Sequence, residues 1–305
     1  MPAIASLEQV DSSCAVGENH PMPDPLSLAK LQAYRARTFG TQPGRRITTR
    51  DEAVAFVNER GFVYFWPIRA VLLPSLWVAV AGDRPVADEH DDPGHVTWGW
   101  KDSLLGSRAW YYGKVLRKKS TMIAMQAVPY FYALSENYGS PEEDYLTLYE
   151  QGRLTIESKA VLEALLAEGP LDTIALRRAS RMTSKDSDSR FNKALADLQA
   201  DFKIIPVRVA QAGAWNYAFV YDLVHRVYPD LPEQARFIGE LDARQKLAEL
   251  YLSSVGAAQL RDLTKLFGWR PAEAEGVVEH LLRAGSARRG EVENQPGAWL
   301  ISNEM

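Results

Sequence analysis

Cations placed next to aromatic rings are the feature of this sequence with the clearest chemical use. Arg117-Lys118-Lys119 follows a stretch carrying Trp98, Trp100, Trp110, Tyr111 and Tyr112. Positive charge beside flat apolar faces suits a nucleic-acid strand, with phosphates on the cations and an unpaired or extruded base on a ring. The competing expectation is that most of these rings simply fill a core. A second basic set comprises Arg177, Arg178, Arg181, Lys185, Arg190 and Lys193. A third, Arg283, Arg288 and Arg289, is offset by Glu291 and Glu293. The acidic run Asp88-Glu-His-Asp-Asp-Pro-Gly-His95 has ligand chemistry for zinc or iron. Its spacing fits no helical ligand motif, so the expectation is a solvated turn and no metal. No Gly-rich phosphate loop, nucleophile elbow or Cys–His pair occurs. His20, His90, His95, His225 and His280 are too scattered for a triad, and no cofactor is expected.

The elements that must position these residues are clearest in the middle of the chain. Ile156 to Glu168 reads as a helix with Val161, Leu162, Leu165 and Leu166 on one face, stopped by Gly169-Pro170. Leu171 to Ser180 is a short second helix. Asp186-Ser187-Asp188-Ser189 caps a third, whose apolar positions are Phe191, Leu195, Leu198 and Phe202. The period then falls to two through Val207 and Val209, a turn, and Trp215, Tyr217, Phe219 and Tyr221, as in a hairpin. Helices over 241–254, 259–267 and 271–284 and a hairpin through Asn294-Gln-Pro-Gly297 repeat this order. Three helices and a hairpin make a winged helix, whose third helix enters the major groove while the hairpin touches phosphates. With the apolar positions of the middle unit assigned to its core, Arg190, Asn192 and Lys193 face outward. Earlier in the chain, Thr48-Thr49 caps a helix ending at Gly61, Phe62 to Ile68 is extended, residues 83–94 form a loop, and Lys114 to Lys119 is a basic helix.

Composition sets limits on function. The 305 residues are 46% apolar and 24% charged, enough for a sizeable core in one large or two ordinary domains. No apolar run approaches a bilayer span, and the first thirty residues lack signal-peptide character. A single cysteine, Cys14, excludes an internal disulfide framework, so the expected compartment is the cytoplasm. Thirty-five Lys and Arg against 39 Asp and Glu leave a net charge of −4. Bulk attraction to a polyanion is therefore excluded, and any nucleic-acid site must be a local patch.

These residues resemble the AlkZ/YcaQ-like family of winged-helix DNA glycosylases over roughly residues 45–305. The similarity is carried by the succession of units and by Gly61-Phe-Val-Tyr-Phe-Trp-Pro-Ile-Arg-Ala-Val71, Lys114-Val-Leu-Arg-Lys-Lys-Ser-Thr-Met-Ile123 and Ser254-Val-Gly-Ala-Ala-Gln-Leu-Arg-Asp-Leu-Thr-Lys-Leu-Phe-Gly268. The resemblance implies an α+β, mostly helical fold of three winged helices in a C-shape around DNA. The units fall at 45–150, 151–238 and 239–305, after a flexible leader at 1–44. The family's Gln-apolar-Gln or Gln-apolar-Asp motif aligns with Tyr64-Phe65-Trp66, a departure at both functional positions, and Lys118 stands where the family tends to carry His. Trp has only a donor and neutral Tyr is a poor base, so the usual catalysis is in doubt.

The resulting expectation is a DNA-binding protein of damage recognition, with Tyr64 and Trp66 facing the duplex as a wedge or stacking platform. Its phosphate contacts are Arg117, Lys118, Lys119, Arg177, Arg178, Arg181, Lys185, Arg190, Lys193, Arg288 and Arg289. Three alternatives stay open: an active glycosylase on alkylated purines with a carboxylate drawn from Asp88, Glu89, Asp91 or Asp92; a transcription regulator reading sequence through the Arg190–Lys193 helix start; and a protein scaffold.

Overall fold

The computed structural model describes residues 24–137, 139–213 and 216–305. Cys14, His20, Trp215 and the first part of the expected leader lie outside them. The fold is α+β, with small antiparallel sheets among many helices. Among the described residues no helix is long and apolar enough to cross a membrane.

One order of elements occurs three times. In the middle segment, helix Ile156–Glu168 leads to strand Leu171–Asp172, helices Thr173–Ala179 and Asp188–Ala200, and the hairpin strands Ile204–Ala210 and Ala218–Leu223. In the last segment the same sequence runs Glu240–Val255, Ala257–Ala258, Leu260–Phe267, Pro271–Arg283, Ala287–Val292 and Gln295–Ser302. In the first it runs Arg50–Arg60, Phe62–Tyr64, Leu76–Ala81, Val96–Ser103, Tyr111–Gly113 and Thr121–Ile123. Each time, the final strand sits at the centre of a three-stranded sheet, between the short early strand and its hairpin partner.

Local chemistry explains these boundaries. Thr49 accepts from the Glu52 amide at 3.2 Å while the Glu52 carboxylate takes the Thr49 amide at 3.0 Å, a reciprocal cap that starts the first helix. Asp172 caps Thr173–Ala179 by accepting two amides at 2.9 Å. Pro271 opens its helix where a missing N–H costs nothing. The last hairpin turns earlier than its Pro-Gly pair suggests: Val292 already faces Gln295, with Asn294 left-handed at the turn.

Two sequence readings are corrected. Lys114 to Lys119 is not a helix but the connection of the first hairpin, holding only a 3-10 turn, Leu116–Lys118. Arg117 and Lys118 take positive φ values of 53° and 55°, which reverses the chain between two strands. The second part of the expected flexible leader is ordered. Helix Leu28–Thr38 buries Leu31 and Tyr34, and Arg35 donates to the carbonyls of Val255 and Ala257 at 3.0 and 2.8 Å.

The cores are not distributed one per segment. Phe191, Leu195, Leu198, Val161, Leu165 and Tyr221 fill a core within the middle segment. One face of the first sheet, through Phe62, Tyr64 and Tyr111, instead shares a core with Leu247, Tyr251 and Phe267 of the last segment. Its opposite face, through Val63 and Phe65, packs with Val57, Trp110 and Tyr112.

Candidate nucleic-acid interface

The turn that carries Arg117-Lys118-Lys119 lies where all three segments meet. Arg117 donates to the carbonyl of Lys265 in the last segment. Lys118 reaches Asp197 of helix Asp188–Ala200 at 2.5 Å, and Lys193 of that helix holds the other oxygen of the same carboxylate at 2.6 Å. The Lys114 amide donates to Gln199 at 3.2 Å, fastening the start of the turn to the same helix. Burial pushes the Asp197 carboxyl up, but the two lysine hydrogen bonds outweigh it and hold the group below its ordinary value. Two lysines distant in sequence thus share one ionised carboxylate while their own side chains remain 53% and 64% exposed. Lys119, in the same turn, is exposed.

The other expected cations separate by role. Arg177 is structural: it donates to the Met182 carbonyl at 3.1 and 3.0 Å and to Asp188, closing the turn between the second and third helices of the middle segment. Arg178, Arg181 and Lys185 bracket that turn and are exposed, without an ion-pair partner among the described residues. Arg190 faces Glu157 at 3.4 Å. In the last segment Arg288 is half-buried and Arg289 is paired with Glu279. The third helix there presents Glu273, Glu275 and Glu279. Arg288 and Arg289 thus sit in a segment with several carboxylates, and neither is among the residues that meet at Asp197.

A cavity of about 520 Å³ is lined by Trp66, Val86, Ala87, Asp88, His90, His95 and Trp98. The acidic run builds one of its walls. Arg84 clasps Asp92 with two hydrogen bonds at 2.7 and 2.9 Å, and the Asp92 carboxylate also accepts the Gly94 amide at 2.7 Å. Hydrogen bonding from Arg84 is the largest cause of the lowered Asp92 pKa. Gly94 comes so close to Trp77 that an added Cβ would lie 2.6 Å from the ring. The His95 ring nitrogen Nε2 is 2.9 Å from the Ala87 carbonyl oxygen. Among the described residues, no three His, Cys, Asp or Glu side chains are grouped to hold a metal ion.

This cavity adjoins the basic turn through the first sheet. Tyr64 pairs with Thr121, and the ladder continues one step as the Phe65 amide donates to the Ser120 carbonyl at 2.9 Å. Trp66 therefore leaves the sheet beside the end of the turn that carries Lys119. Its ring packs 4.6 Å from Phe65, 5.3 Å from Trp77 and 5.6 Å from Trp98. Trp66 lies at a cavity, as a stacking role needs. Tyr64 does not: it is 0% exposed, and burial pushes its hydroxyl up to about 12. The wedge reading of Tyr64 is thus corrected, because strand alternation turns it into the shared core. Its hydroxyl has no hydrogen-bond partner among the described residues. Tyr64→Phe is accordingly expected to change stability by less than about 1 kcal/mol, in either direction, since no hydrogen bond is lost. DNA affinity should be unchanged; urea unfolding and a binding titration check both.

Sequence reasoning missed Lys101. It belongs to helix Val96–Ser103 and is 1% exposed. Its ammonium lies 2.6 Å from Asp102 and 3.0 Å from the Tyr217 hydroxyl, which itself donates to Asp102 at 3.0 Å. Five rings surround it, with centroids at 4.6 Å for Phe219, 4.9 Å for Trp98, 5.3 Å for Tyr112 and 5.7 Å for Phe65 and Tyr217. Burial lowers the amine's pKa against the opposing pull of Asp102. The rings come from the first and middle segments, so this cation clasps the two together. A lysine inside a Trp-rich stretch was the available signal, but the partners Tyr217 and Phe219 are more than a hundred residues away.

The model of a family described as AlkZ related matches residues 47–268, which is most of the chain. No curated protein and no solved structure matches it. The matched span takes in the cavity wall, the basic turn and the whole middle segment; the chain belongs to the AlkZ-related family.

Proposed function

We propose that this chain binds DNA through three winged helices arranged in a C-shape and recognises damaged duplex. Family membership relates it to DNA glycosylases and DNA repair. The threefold recurrence of one element order, with each hairpin closing a small sheet, supports the winged-helix reading. The observation that carries the proposal is the meeting of Lys118 and Lys193 on Asp197, in a turn whose far end is joined by the Phe65–Ser120 hydrogen bond to the strand that leads to Trp66 and the cavity it walls with Trp98. Phosphates bind the lysines, and a displaced base enters beside the tryptophans. The pairing of two lysines on one carboxylate is a local feature, as a protein whose net charge is −4 requires of a phosphate site. Fluorescence anisotropy with matched duplexes, one holding an alkylated or abasic position, tests the reading. Tighter binding to the lesion supports it, and equal binding removes damage recognition.

One observation favours catalysis as a second reading. Asp88 lines the same cavity as Trp66, so the acidic loop delivers a carboxylate to the place where the family motif has been lost. Asp88 would orient a water for attack on C1′ and take its proton, as the C1′–N bond breaks and the cationic alkylated base departs neutral with the bonding electrons. Release of N7-methylguanine, scored by alkaline strand scission, should then fall about a hundredfold in Asp88→Asn. No release by the unsubstituted protein above a blank would end this reading and leave the binding proposal standing.

A further inference from the structure

Two rings beside the cavity remain open to solvent. Trp98 is 39% exposed and Tyr217 is 36% exposed, and their centroids are 6.3 Å apart. Trp98 belongs to the first segment and walls the cavity; Tyr217 comes from the hairpin connection of the middle segment. Neither is loosely held. Trp98 packs on Trp66 and Phe65, Tyr217 packs on Phe219, and the buried Lys101 ammonium lies between Trp98 and Tyr217. Lys101 also neutralises Asp102 directly beneath Tyr217, removing a charge that would repel a phosphodiester.

We propose that Trp98 and Tyr217 form a stacking site for an unpaired nucleotide strand, with one base in the cavity that Trp66 and Trp98 line and its neighbour on Tyr217. This deepens the DNA-binding reading and rests on it. Large rings held rigid yet exposed suit bases, because every base has a flat face and stacking tolerates any sequence. The polar groups around the cavity, Asp88, His90 and His95, offer a base edge both acceptors and donors. The turn with Lys118 and Lys119 continues from the Trp66 end and provides for the strand's phosphates. Lys101 is a positioning residue: it touches no nucleotide and fixes the spacing of the two rings that do.

The test is titration of the full chain with short oligothymidine and with a duplex of equal length, read by anisotropy and by quenching of tryptophan fluorescence. Trp98→Ala and Tyr217→Ala should each weaken single-strand binding by about tenfold or more and weaken binding to the undamaged duplex, which offers the rings no displaced base, by much less. Trp98→Phe, which keeps a ring, should retain most of the affinity and lose most of the quenching. Lys101→Met should weaken single-strand binding in the otherwise unchanged protein but add nothing once Trp98 is alanine. Equal losses for single strand and duplex, or no loss in any ring variant, overturn the proposal. Duplex binding without single-strand binding by the unsubstituted protein also overturns it and leaves the DNA reading intact. Failure to bind either nucleic acid at low salt removes both.

Discussion

Asp197→Asn is expected to tighten DNA binding by about tenfold, although the residue is acidic and the substitution adds no new cation. Asp197 occupies both lysines that we assign to phosphate, Lys118 and Lys193. Its carboxyl is held below the ordinary range, so it is fully ionised at neutral pH and repels any phosphate brought there. Removing one charge about 4 Å from two phosphates is worth roughly 1 kcal/mol each in a watery setting, or about five- to thirtyfold in affinity. The log-log salt slope should change by less than about one unit, because both lysines already meet phosphate in the unsubstituted protein and the gain comes from the removed repulsion. The cost to the fold is below about 1 kcal/mol, because both lysines are more than half exposed. Anisotropy titrations over a series of salt concentrations measure both effects. Weaker binding would mean that Asp197 is needed to hold the turn in place and that the lysines do not meet phosphate.

Lys101→Met should destabilise the protein by about 2–4 kcal/mol, measured as a fall in the urea midpoint. The methionine keeps the bulk but leaves Asp102 without its cation and forfeits the attraction of five rings. Asp102 is 24% exposed, so water offsets part of the loss, which keeps the figure below that of a fully buried pair. The double variant Lys101→Met with Asp102→Asn should recover part of the stability, because no unpaired charge then remains. A loss of the same size in the double variant would mean that ring packing, not the ion pair, joins the first and middle segments. A single variant as stable as the parent would contradict the clasp altogether.

The middle and last segments were legible because their helices are long enough to show a period. Ile156–Glu168 has the bounds that its apolar face and Gly169 predict, and Phe191, Leu195, Leu198 and Phe202 are all buried. The first segment defeats this reasoning. Its strands have three residues each, too few to show alternation, and helix Leu76–Ala81 has six. The basic run misled for a conformational reason: lysine and arginine are good helix formers, yet Arg117 and Lys118 sit at positive φ in a hairpin connection. That reversal is what takes Lys118 to Asp197. The ordered helix Leu28–Thr38 was hidden by a weak apolar stripe; it is held by tertiary hydrogen bonds such as that from the Tyr34 hydroxyl to the Ser253 carbonyl at 2.7 Å.

The candidate site was legible in its materials and not in its assembly. Trp66, the acidic loop and the basic turn were all recognisable as chemistry-bearing, and the fold brings them to adjoining places. Tyr64 shares the face of Phe62 and is buried in the core formed with the last segment, whereas Trp66 lies beyond the strand's end and walls the cavity. Arg289 pairs with Glu279, a pairing across elements that residue counts do not disclose. Trp98 acquires a use only because Tyr217 arrives beside it from the middle segment.

The most direct test is the salt dependence of duplex binding for Lys118→Ala, Lys193→Ala and the protein carrying both. If phosphates meet the lysines gathered at Asp197, each single substitution should flatten the log-log slope by about one unit and the pair by about two, with the fold intact. Slopes that match the unsubstituted protein in all three would place the DNA, if it binds at all, on some other surface.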